Sequence, residues 1–248
     1  FAYSIMLDYM DDSLLDNVSI NSSSNVGLYP FGSSRNKFNN LTITNPSSYG
    51  LFVGSSHDNN ITSGIVADSD IGLFLHVSSG NIIKNFNITG HATQGIKFNT
   101  ANSDNNLFYN NFFNNTLNVD NDIGASSYFN TTKTAGTNII GGSWTYGNFW
   151  TNPTADNFSG TCTDADRNRI CDDNMNVTTG ESTTNTGYGV DEGVLLYGSS
   201  IPANDYGVGT LADYSNMSQD SIYVNLTNGE ADISNIEYYL VNDSGVVN

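Results

Sequence analysis

A glycine followed by an apolar residue recurs through the first half of the chain at intervals of 22 or 23 residues. The pairs are Gly27-Leu28, Gly50-Leu51, Gly72-Leu73 and Gly95-Ile96. Three of them continue as short alternating runs, namely LFV, LFL and IKF. A repeat of this length is typical of solenoids, in which each repeat is too small to fold alone and stacks on its neighbours. The repeat therefore restricts the chain to an extended, repetitive fold.

A second pattern lies between these pairs and indicates what each repeat contains. Asn36 is followed by Phe38, Leu41 and Ile43, with Asn40 between the first two. We align four further residues with Asn36, namely Ser13, Asn60, Asn81 and Asn106, and the residues four positions after them are Asn17, Gly64, Asn85 and Asn110. Apolar residues two apart form one face of a strand. The change of phase between Phe38 and Leu41 requires a corner, where Asn and Gly tolerate a left-handed backbone.

These patterns predict an all-β fold, a right-handed parallel β-helix of about six coils with three short strands and three turns in each coil. Asn138 is expected to begin a sixth, degraded copy. Asparagines at equivalent corners are expected to form hydrogen-bonded ladders along the stack. A leucine-rich repeat would show its own Leu spacing, and helical repeats would avoid so many Asn, Gly and Thr residues.

The charge of the chain narrows the choice of partners. Acidic residues outnumber basic ones 25 to 7, the net charge is −18 and the pI is about 4.1. Nucleic-acid binding and binding to anionic membranes both require a basic surface, so neither is expected. No apolar run approaches the roughly 18 residues that a membrane-spanning helix needs, so no membrane insertion is expected in this segment. The composition is compatible with cation binding.

Several features favour an exported protein located at the cell surface. The chain begins at Phe1 without an initiator Met, which we interpret as a processed product or part of a longer protein. Asn-X-Ser/Thr sequons are frequent, and they and a disulfide are typical of extracellular proteins. The glycosylation candidates are Asn17, Asn21, Asn40, Asn60, Asn87, Asn114, Asn130, Asn157, Asn176, Asn216, Asn225 and Asn242.

Four stretches of the chain carry a resemblance to known proteins. NIIKNFNITGHATQGIKF (81–98) and NNLFYNNFF (105–113) resemble the parallel β-helix repeats of the periplasmic copper-binding, NosD-like family and of its archaeal surface relatives. The region from 142 to 173 resembles the element that closes such helices, in which an aromatic motif precedes an acidic loop. Residues 220–248 resemble the opening strands of the immunoglobulin-like modules found beside β-helices in archaeal surface proteins. The resemblance implies a structural context rather than a particular chemistry.

The acidic loop TCTDADRNRICDD (161–173) has the alternation of a calcium-binding loop. Alternate oxygen ligands can converge on one hard cation, and the candidate ligands are Asp164, Asp166, Asn168, the carbonyl of Ile170, and Asp172. Two departures predict a weak site: Arg169 occupies the position of the usual turn glycine, and Met175 stands where a bidentate Glu is expected. The alternative is a solvated acidic turn whose carboxylates pair with arginines.

Cys162 and Cys171, the two cysteines of the chain, flank this loop. Two thiols without a nearby His form a poor zinc site, so a local disulfide is the preferred interpretation. Its closure of a loop of about ten residues stabilises by roughly 2–3 kcal/mol on the chain-entropy model. Trp144, Phe149 and Trp150 are expected to cover the apolar end of the core, with a sugar-stacking platform as the alternative.

The chain offers little that resembles a catalytic centre. The three histidines, His57, His76 and His91, fall at different phases of the repeat, so we expect no copper site built from them. Asp68 and Asp70 form the tightest acidic pair in the coils, without a basic residue at the same phase in neighbouring coils. We therefore expect no enzymatic activity and no organic cofactor, with a polysaccharide lyase or hydrolase as the alternative.

The expected organisation follows the chain. Residues 1–12 form a strand that is either a cap or a donor strand, 13–145 the β-helix, and 146–176 the disulfide-closed cap. Residues 177–215 are an irregular linker in which 190–198 is a strand on the flank of the helix, and 216–248 are strands of a partial immunoglobulin-like sandwich. Two strands do not make a stable sandwich alone, so strand addition from another copy is one way to complete it.

We therefore expect a non-catalytic extracellular structural protein, a subunit of an archaeal-type cell-surface filament, appendage or layer with an adhesive surface. Self-association by head-to-tail strand complementation is expected, because such contacts do not close and so produce filaments. The alternative is a carbohydrate-binding or carbohydrate-processing β-helix, with surface glycans as partners. A face lined by aromatic side chains and carboxylates would favour this alternative.

Overall fold

The computed structural model of the chain describes residues 2–121, 123–152, 158–165, 169–178, 182–183, 189–196, 223–225, 237–242 and 245–247. Contacts between residues divide the chain into two units, residues 1–197 and residues 198–248, and each is described by itself. In the part of the chain that the structure describes, no helix has the length and hydrophobicity to cross a membrane.

Almost all of the secondary-structure elements described in the first unit are strands. In chain order they are β1 (Tyr3–Asp8), β2 (Leu14–Asp16), β3 (Ser19–Asn21), β4 (Val26–Phe31), β5 (Lys37–Thr44), β6 (Tyr49–Gly54), β7 (Asn60–Ala67), β8 (Ile71–His76), β9 (Ile82–Thr89), β10 (Gln94–Phe98), β11 (Leu107–Tyr109), β12 (Phe112–Asn114), β13 (Val119–Asp120), β14 (Thr134–Ala135), β15 (Trp144–Thr145), β16 (Phe149–Thr151), β17 (Asn174–Asn176), β18 (Ser182–Thr183) and β19 (Val190–Asp191). A short helix, α1, comprises Phe158–Thr161.

Two parallel sheets enclose the core. The first sheet contains, in spatial order, β1, β4, β6, β8, β10 and β13. The second contains β2, β5, β7, β9, β12 and β16, with β3 paired to β5 and β11 paired to β9. Each strand pairs with the equivalent strand one repeat away, so the chain winds through about five turns of a parallel β-helix. The predicted fold class is confirmed.

The Gly-apolar pairs fix the register of the first sheet. Leu28, Leu51, Leu73 and Ile96 are partners in successive rungs, and all four are buried. The preceding glycines are required because the backbone of the next rung is too close for a side chain. A Cβ atom at Gly50, for example, would lie 2.7 Å from the carbonyl oxygen of Gly72.

The strands of the second sheet bend at a residue with a positive φ angle. These residues are Asn17, Asn40, Ser63, Asn85 and Asn110, with φ between 51° and 62°. In the three rungs of β5, β7 and β9 the strand continues through this corner, so these coils have two sheet strands, one of them bent. In the rungs of β2 with β3 and of β11 with β12 the strand is interrupted at the corner, so three separate strands are present as predicted. The prediction of asparagine corners is thus confirmed in four rungs and is wrong in β7, where Ser63 bends the strand.

The alignment of the third repeat is wrong by one residue. Asn59, and not Asn60, is equivalent to Asn36, because the spacing of 23 residues is kept through β7 and the 22-residue repeat loses its residue after β7, between Ala67 and Ile71. Ile61 and Val66 therefore face the core, and Ile65 is 39% exposed. Gly64 does not form the corner; a Cβ atom at this position would collide with the carbonyl oxygen of Leu41.

A ladder of buried asparagines connects the rungs at the start of each repeat, whereas the prediction placed the ladder at the corners. The Nδ2 atom of each asparagine donates to Oδ1 of the next, over 3.1 Å from Asn36 to Asn59, 2.9 Å from Asn59 to Asn81 and 3.0 Å from Asn81 to Asn106. Each of these Oδ1 atoms also accepts the backbone N–H of the preceding asparagine. The ladder satisfies polar groups that would be costly to bury unpaired. At the corners, the side-chain amide of Asn40 donates to Asn17 at 3.2 Å and that of Asn110 donates to Asn85 at 2.6 Å.

The last coil contains an insertion that the sequence pattern did not predict. Between β12 and β16 the chain forms a small antiparallel pair of strands, β14 and β15. Asn138 lies within this insertion, where its Oδ1 accepts the backbone N–H of Gly142 at 2.7 Å and closes a turn. The prediction that Asn138 begins a further coil is therefore wrong. Asn148 instead continues a second internal ladder, which contains Asn111. The Oδ1 atom of Asn148 accepts the side-chain amide of Asn111 at 3.0 Å.

A cap covers the end of the core after β16. Trp150 stacks on Phe113 with 4.4 Å between ring centroids, and its backbone N–H donates to Ser159 of α1 at 2.8 Å. Phe149 is buried and stacks on Phe112 instead of joining the core. Trp144 is only partly buried and lies beside the ammonium group of Lys133 in the insertion, so it does not cover the core.

Residues 193–196 extend the stack of rungs. The sequence had predicted a strand on the flank of the helix for this segment, and that prediction is wrong. The backbone N–H of Leu195 donates to the carbonyl of Asn148, and Gly147 donates to Gly193. The loop that contains the disulfide pairs with the same segment, because Cys171 donates to Val194. The cap is therefore built from segments far apart in sequence.

The first rung lies nearer the N-terminus than the sequence suggested. β1 pairs with β4 in parallel register from Tyr3 to Asp8, so the β-helix includes the residues that had been assigned to a separate strand before residue 13. At the other end it includes β16, beyond the predicted limit at residue 145.

The described residues of the second unit form three antiparallel strands in the order β20 (Tyr223–Asn225), β21 (Glu237–Asn242) and β22 (Gly245–Val247). Tyr223 pairs with Tyr239, and Leu240 pairs with Val247. Strands were predicted at both β20 and β21 and are present. The immunoglobulin-like sandwich stays a prediction, as does the linker over 177–215, most of which lies outside the described residues.

Candidate functional site

The acidic loop places two of its predicted ligands at a tight turn. Oδ2 of Asp164 accepts the backbone N–H of Arg169 at 2.9 Å. Oδ2 of Asp172 accepts the backbone N–H of Ala165 at 2.7 Å. Ile170 is buried and forms a bridge with Leu195. Both carboxylates therefore shape the loop, whatever cation it binds.

The remaining predicted ligands, Asp166 and Asn168, lie outside the described residues. Arg169 adopts a φ of 67°, so the position expected to hold a turn glycine does have a left-handed backbone. At this one position a non-glycine residue adopts the left-handed backbone that a turn glycine would adopt. A calcium site here stays a prediction.

The predicted disulfide is present. Cys162 and Cys171 are bonded, with 5.6 Å between their Cα atoms. Cys171 is buried among core residues of the cap, with Cys162 packed against them. The bond therefore ties the acidic loop to the apolar end of the β-helix.

His91 belongs to the interior of the β-helix. Its Nε2 lies 3.1 Å from the carbonyl oxygen of Val66, and its Nδ1 lies 2.9 Å from the hydroxyl of Ser69. These contacts fit a neutral ring that donates through Nε2 and accepts through Nδ1. Burial lowers the pKa of His91 to about 4, although its hydrogen bonds with Val66 and Ser69 oppose this shift. Both ring nitrogens are therefore engaged within the fold.

The other two histidines have separate partners. Nδ1 of His57 lies 2.9 Å from the hydroxyl of Ser79, and Nδ1 of His76 lies 3.0 Å from the amide nitrogen of Asn99. Within the described ranges, no three side chains of the His, Cys, Asp and Glu types come together as a metal site. The imidazole and sulfur ligands that copper prefers are thus not gathered in this part of the chain.

The acidic pair of the coils lies at a turn. Asp68 has a φ of 58°, and the backbone carbonyl of Asp70 accepts hydrogen bonds from the backbone and the hydroxyl of Thr93. Among the described residues, no Arg or Lys forms an ion pair with either carboxylate. The absence of enzymatic activity stays a prediction.

Asp191 is an unexpected feature of the cap, because it is completely buried at the end of an internal ladder. Its Oδ2 accepts the backbone N–H of Asn148 at 2.8 Å, the side-chain amide of Asn148 at 3.1 Å and the indole N–H of Trp150 at 2.8 Å. Its Oδ1 accepts the backbone N–H of Gly193 at 3.0 Å. Burial raises the pKa of Asp191 to about 7, against the opposing effect of these hydrogen bonds.

Sequence reasoning missed Asp191 because its partners lie more than 40 residues away. The hydrogen bond from Asn148 spans 43 residues and that from Trp150 spans 41. Asp191 lies next to Glu192 in the segment 190–198, which was predicted as a strand on the flank of the helix and not as part of its interior. Only the apolar run that follows, at 194–196, indicates that this segment is buried.

The sequon asparagines differ in their exposure. Asn17, Asn21, Asn40 and Asn87 are exposed, whereas Asn60, Asn114, Asn130 and Asn176 are partly buried. Asn225 and Asn242 lie in strands of the second unit, and Asn157 and Asn216 lie outside the described residues. The exposed group is suited to carry glycans, which stay a prediction.

Comparison with protein families identifies the chain. A family described as "Periplasmic copper-binding protein (NosD)" matches residues 1–155, which include almost all of the β-helix. The chain belongs to the NosD family. Comparisons with curated proteins and with solved structures gave no match.

Membership of the NosD family agrees with the repeat and with the fold, and it indicates an extracellular or periplasmic β-helix protein. The description of the family implies copper, but the described residues do not fit a copper site. His91 is buried with both ring nitrogens hydrogen-bonded, His57 and His76 have separate partners, and the two cysteines form a disulfide. No copper chemistry is assigned to these residues.

Proposed function

We propose that this NosD-family chain is a non-catalytic structural protein of the cell surface, a subunit of an archaeal-type filament, appendage or layer. The observation that carries the proposal is the use of buried polar groups. The amides of Asn36, Asn59, Asn81 and Asn106 bond rung to rung through the interior, and the disulfide-closed cap ends the stack. Such bonding favours a stiff rod, which suits a structural role.

Assembly by strand addition is supported by the edges of the sheets. Among the described residues, β1 pairs with β4 alone, and β20 and β22 each pair with β21 alone. A strand paired on one side presents unpaired backbone N–H and C=O groups, to which a strand from another copy can add. The three described strands of the second unit are the minimum for an independently stable sheet, so a strand added from another copy would stabilise it.

Two further parts of the proposal concern the surface. The acidic loop binds calcium weakly and stiffens the cap, with Asp164 and Asp172 among its ligands. Glycans on the exposed sequon asparagines raise solubility and protect the surface. Adhesion to other surfaces is a further part of this role.

The test is negative-stain electron microscopy of the native surface protein, with and without a calcium chelator. We expect regular filaments or sheets that are lost on chelation. Asp172→Asn keeps the oxygen that accepts the N–H of Ala165 but removes the charge, so it should weaken assembly at limiting calcium. The matched control is Asp173→Asn, which removes the same charge from an exposed neighbour. Dispersed particles at every protein and calcium concentration would refute the assembly.

A further inference from the structure

The outer face of the first sheet carries an aromatic cluster that is separate from the core. Phe52 lies between the inward residues Leu51 and Val53, and Phe74 lies between Leu73 and Leu75, so both rings point outwards. Tyr29 and Tyr49 pack against them. We call Tyr29, Tyr49, Phe52 and Phe74 the aromatic strip.

The rings of the aromatic strip form one continuous surface. The ring centroid of Phe52 lies 4.6 Å from that of Tyr29 and 4.7 Å from that of Phe74. The ring of Tyr49 lies 4.8 Å from that of Phe74 and 5.4 Å from that of Phe52. Three successive rungs of the sheet contribute to this surface, because the four residues belong to β4, β6 and β8.

Polar side chains continue the same columns on the next two rungs. Lys97 is the register partner of both Phe74 and Asp120, and Gln94 is the partner of Ile71. Oδ2 of Asp120 accepts the ammonium of Lys97 at 2.9 Å and the side-chain amide of Gln94 at 3.2 Å. The aromatic strip therefore runs directly into a trio of hydrogen-bonding groups.

Gln94, Lys97 and Tyr29 can each form further hydrogen bonds with a ligand. Oε1 of Gln94 is enclosed and accepts no hydrogen bond within the described part of the chain. Lys97 has three N–H donors, of which its ion pair with Asp120 requires one, and its side chain is 32% exposed. Burial, followed by the charges of Asp8 and Tyr3, raises the pKa of Tyr29, so its hydroxyl stays protonated and can both donate and accept.

We propose that this face binds a neutral carbohydrate chain. Aromatic rings pack against the C–H faces of sugar rings, while a few well-placed polar side chains bond to the hydroxyl groups and fix their orientation. From the rung of Tyr29 to the rung of Asp120 the face extends through four inter-strand steps, or about 19 Å. This length suits a linear chain of several sugars laid along the axis of the β-helix.

The charge and shape of the face favour this ligand over two others. The net charge of −18 repels polyanions, which argues against uronate-rich or phosphate-rich chains. Phe52 and Phe74 are only 8% and 7% exposed, so they support Tyr29 and Tyr49, which are partly buried and supply most of the ring surface open to a ligand. The accessible part of the aromatic strip is therefore narrow. A stable protein partner buries about 800 Å² of each surface, and a narrow strip is better matched by a linear glycan.

The test is native affinity electrophoresis in gels that contain barley β-glucan, a galactomannan, yeast mannan or, as the anionic probe, polygalacturonate. We expect at least one neutral polysaccharide to retard the protein and polygalacturonate to have no effect. Tyr49→Ala should weaken the retardation at least tenfold and Gln94→Ala severalfold. The matched control is Tyr109→Ala, a partly buried tyrosine of the second sheet, which should bind as the original protein does.

Thermal unfolding of each variant establishes that the fold is intact, and Gln94→Ala tests the site without removing an aromatic ring. Three results would overturn the proposal. They are no retardation by any neutral polysaccharide, equal binding by Tyr49→Ala and Tyr109→Ala, and a concentration-dependent dimer that Tyr49→Ala abolishes. The last result would assign the aromatic strip to contact between copies of the chain.

Discussion

Buried polar side chains act as connectors in this fold. Oδ1 of Asn59 accepts both the backbone N–H and the side-chain amide of Asn36. Its Nδ2 donates to Oδ1 of Asn81 and to the carbonyl of Ser33. Every polar atom of this amide is thus satisfied at a position that water does not reach. Replacement by an apolar residue would leave polar groups of the adjacent rungs without partners, at a cost of about 1–3 kcal/mol for each one.

Two buried ionisable residues affect stability in opposite directions. Between pH 3.8 and about 7, Asp191 is protonated in the folded chain but ionised in the unfolded chain. Its contribution to the free energy of unfolding therefore falls as the pH rises through this window. Between about pH 4 and 6.5, His91 is neutral when folded but charged when unfolded, so its contribution rises with pH. In the original protein the two effects oppose each other.

Removal of one of these two ionisable groups should reveal the effect of the other on the pH dependence of the free energy of unfolding. Asp191→Asn abolishes the falling contribution, so we expect the free energy of unfolding to rise between pH 4.5 and 6.5 by about 3 kcal/mol more than in the original protein. Urea denaturation at several pH values measures this difference. Asp173→Asn, at an exposed aspartate, is the control and should follow the original protein.

An independent signal comes from the two tryptophans. The indole N–H of Trp150 donates to Asp191, whereas Trp144 lies beside Lys133 in the insertion. The NMR signal of the Trp150 indole should therefore shift near pH 7, with that of Trp144 unaffected. Parallel stability curves for Asp191→Asn and the original protein, together with no indole titration, would contradict the assigned pKa.

At the scale of the strand and the turn, the repeat determined most of what could be predicted. The pairs that begin at Gly27 and Gly50 fixed the first sheet, because their close backbone approach tolerates no other residue. The second sheet was harder to predict, since Asn59 and Asn60 are adjacent and either fits the column. Burial distinguishes them: Ile61 faces the core, whereas Ile65 does not.

The cap was predictable in its chemistry but not in its construction. The disulfide and the turn at Arg169 follow from local sequence. The pairing of Leu195 with Asn148 and the burial of Asp191 join segments that no repeat relates. The insertion between β12 and β16 likewise has no periodic signal, because a single antiparallel pair of strands is too short to show one.

Reduction of the disulfide should loosen the cap and leave the coils intact. The bond closes a loop with a sequence separation of 9, for which the chain-entropy model gives about 2–3 kcal/mol. Hydrogen exchange of the oxidised and the reduced protein shows in which part of the chain this stabilisation is lost. The amides of Cys171 and Leu196, which bond within the cap, should exchange faster after reduction. The amide of Thr42, which bonds to Val18 in the coils, is the internal control, and equal acceleration at all three would contradict a local effect.

At the scale of the whole molecule, the first unit contains what a β-helix needs to fold. In a solenoid each rung contacts chiefly its neighbours, so stability depends on the rungs and on the caps at the ends. The described core residues, from Ile20 to Leu196, lie within this unit, including those of the cap. The coils and the cap thus share one hydrophobic core. Because each rung depends chiefly on its neighbours, the N-terminal rungs can still unfold without unfolding of the cap.

A fragment that ends at residue 197 should therefore fold by itself. We expect its melting temperature to lie within about 2 °C of that of the full chain, because the core cluster and the disulfide are both retained. Differential scanning calorimetry of the two proteins measures the difference. The matched comparison is a fragment that ends at residue 157, which retains β16 but lacks both cysteines and Asp191. It should melt well below both, since Trp150 loses its partners Ser159 and Asp191. If the longer fragment melts as low as the shorter one, the second unit contributes packing on which the β-helix depends.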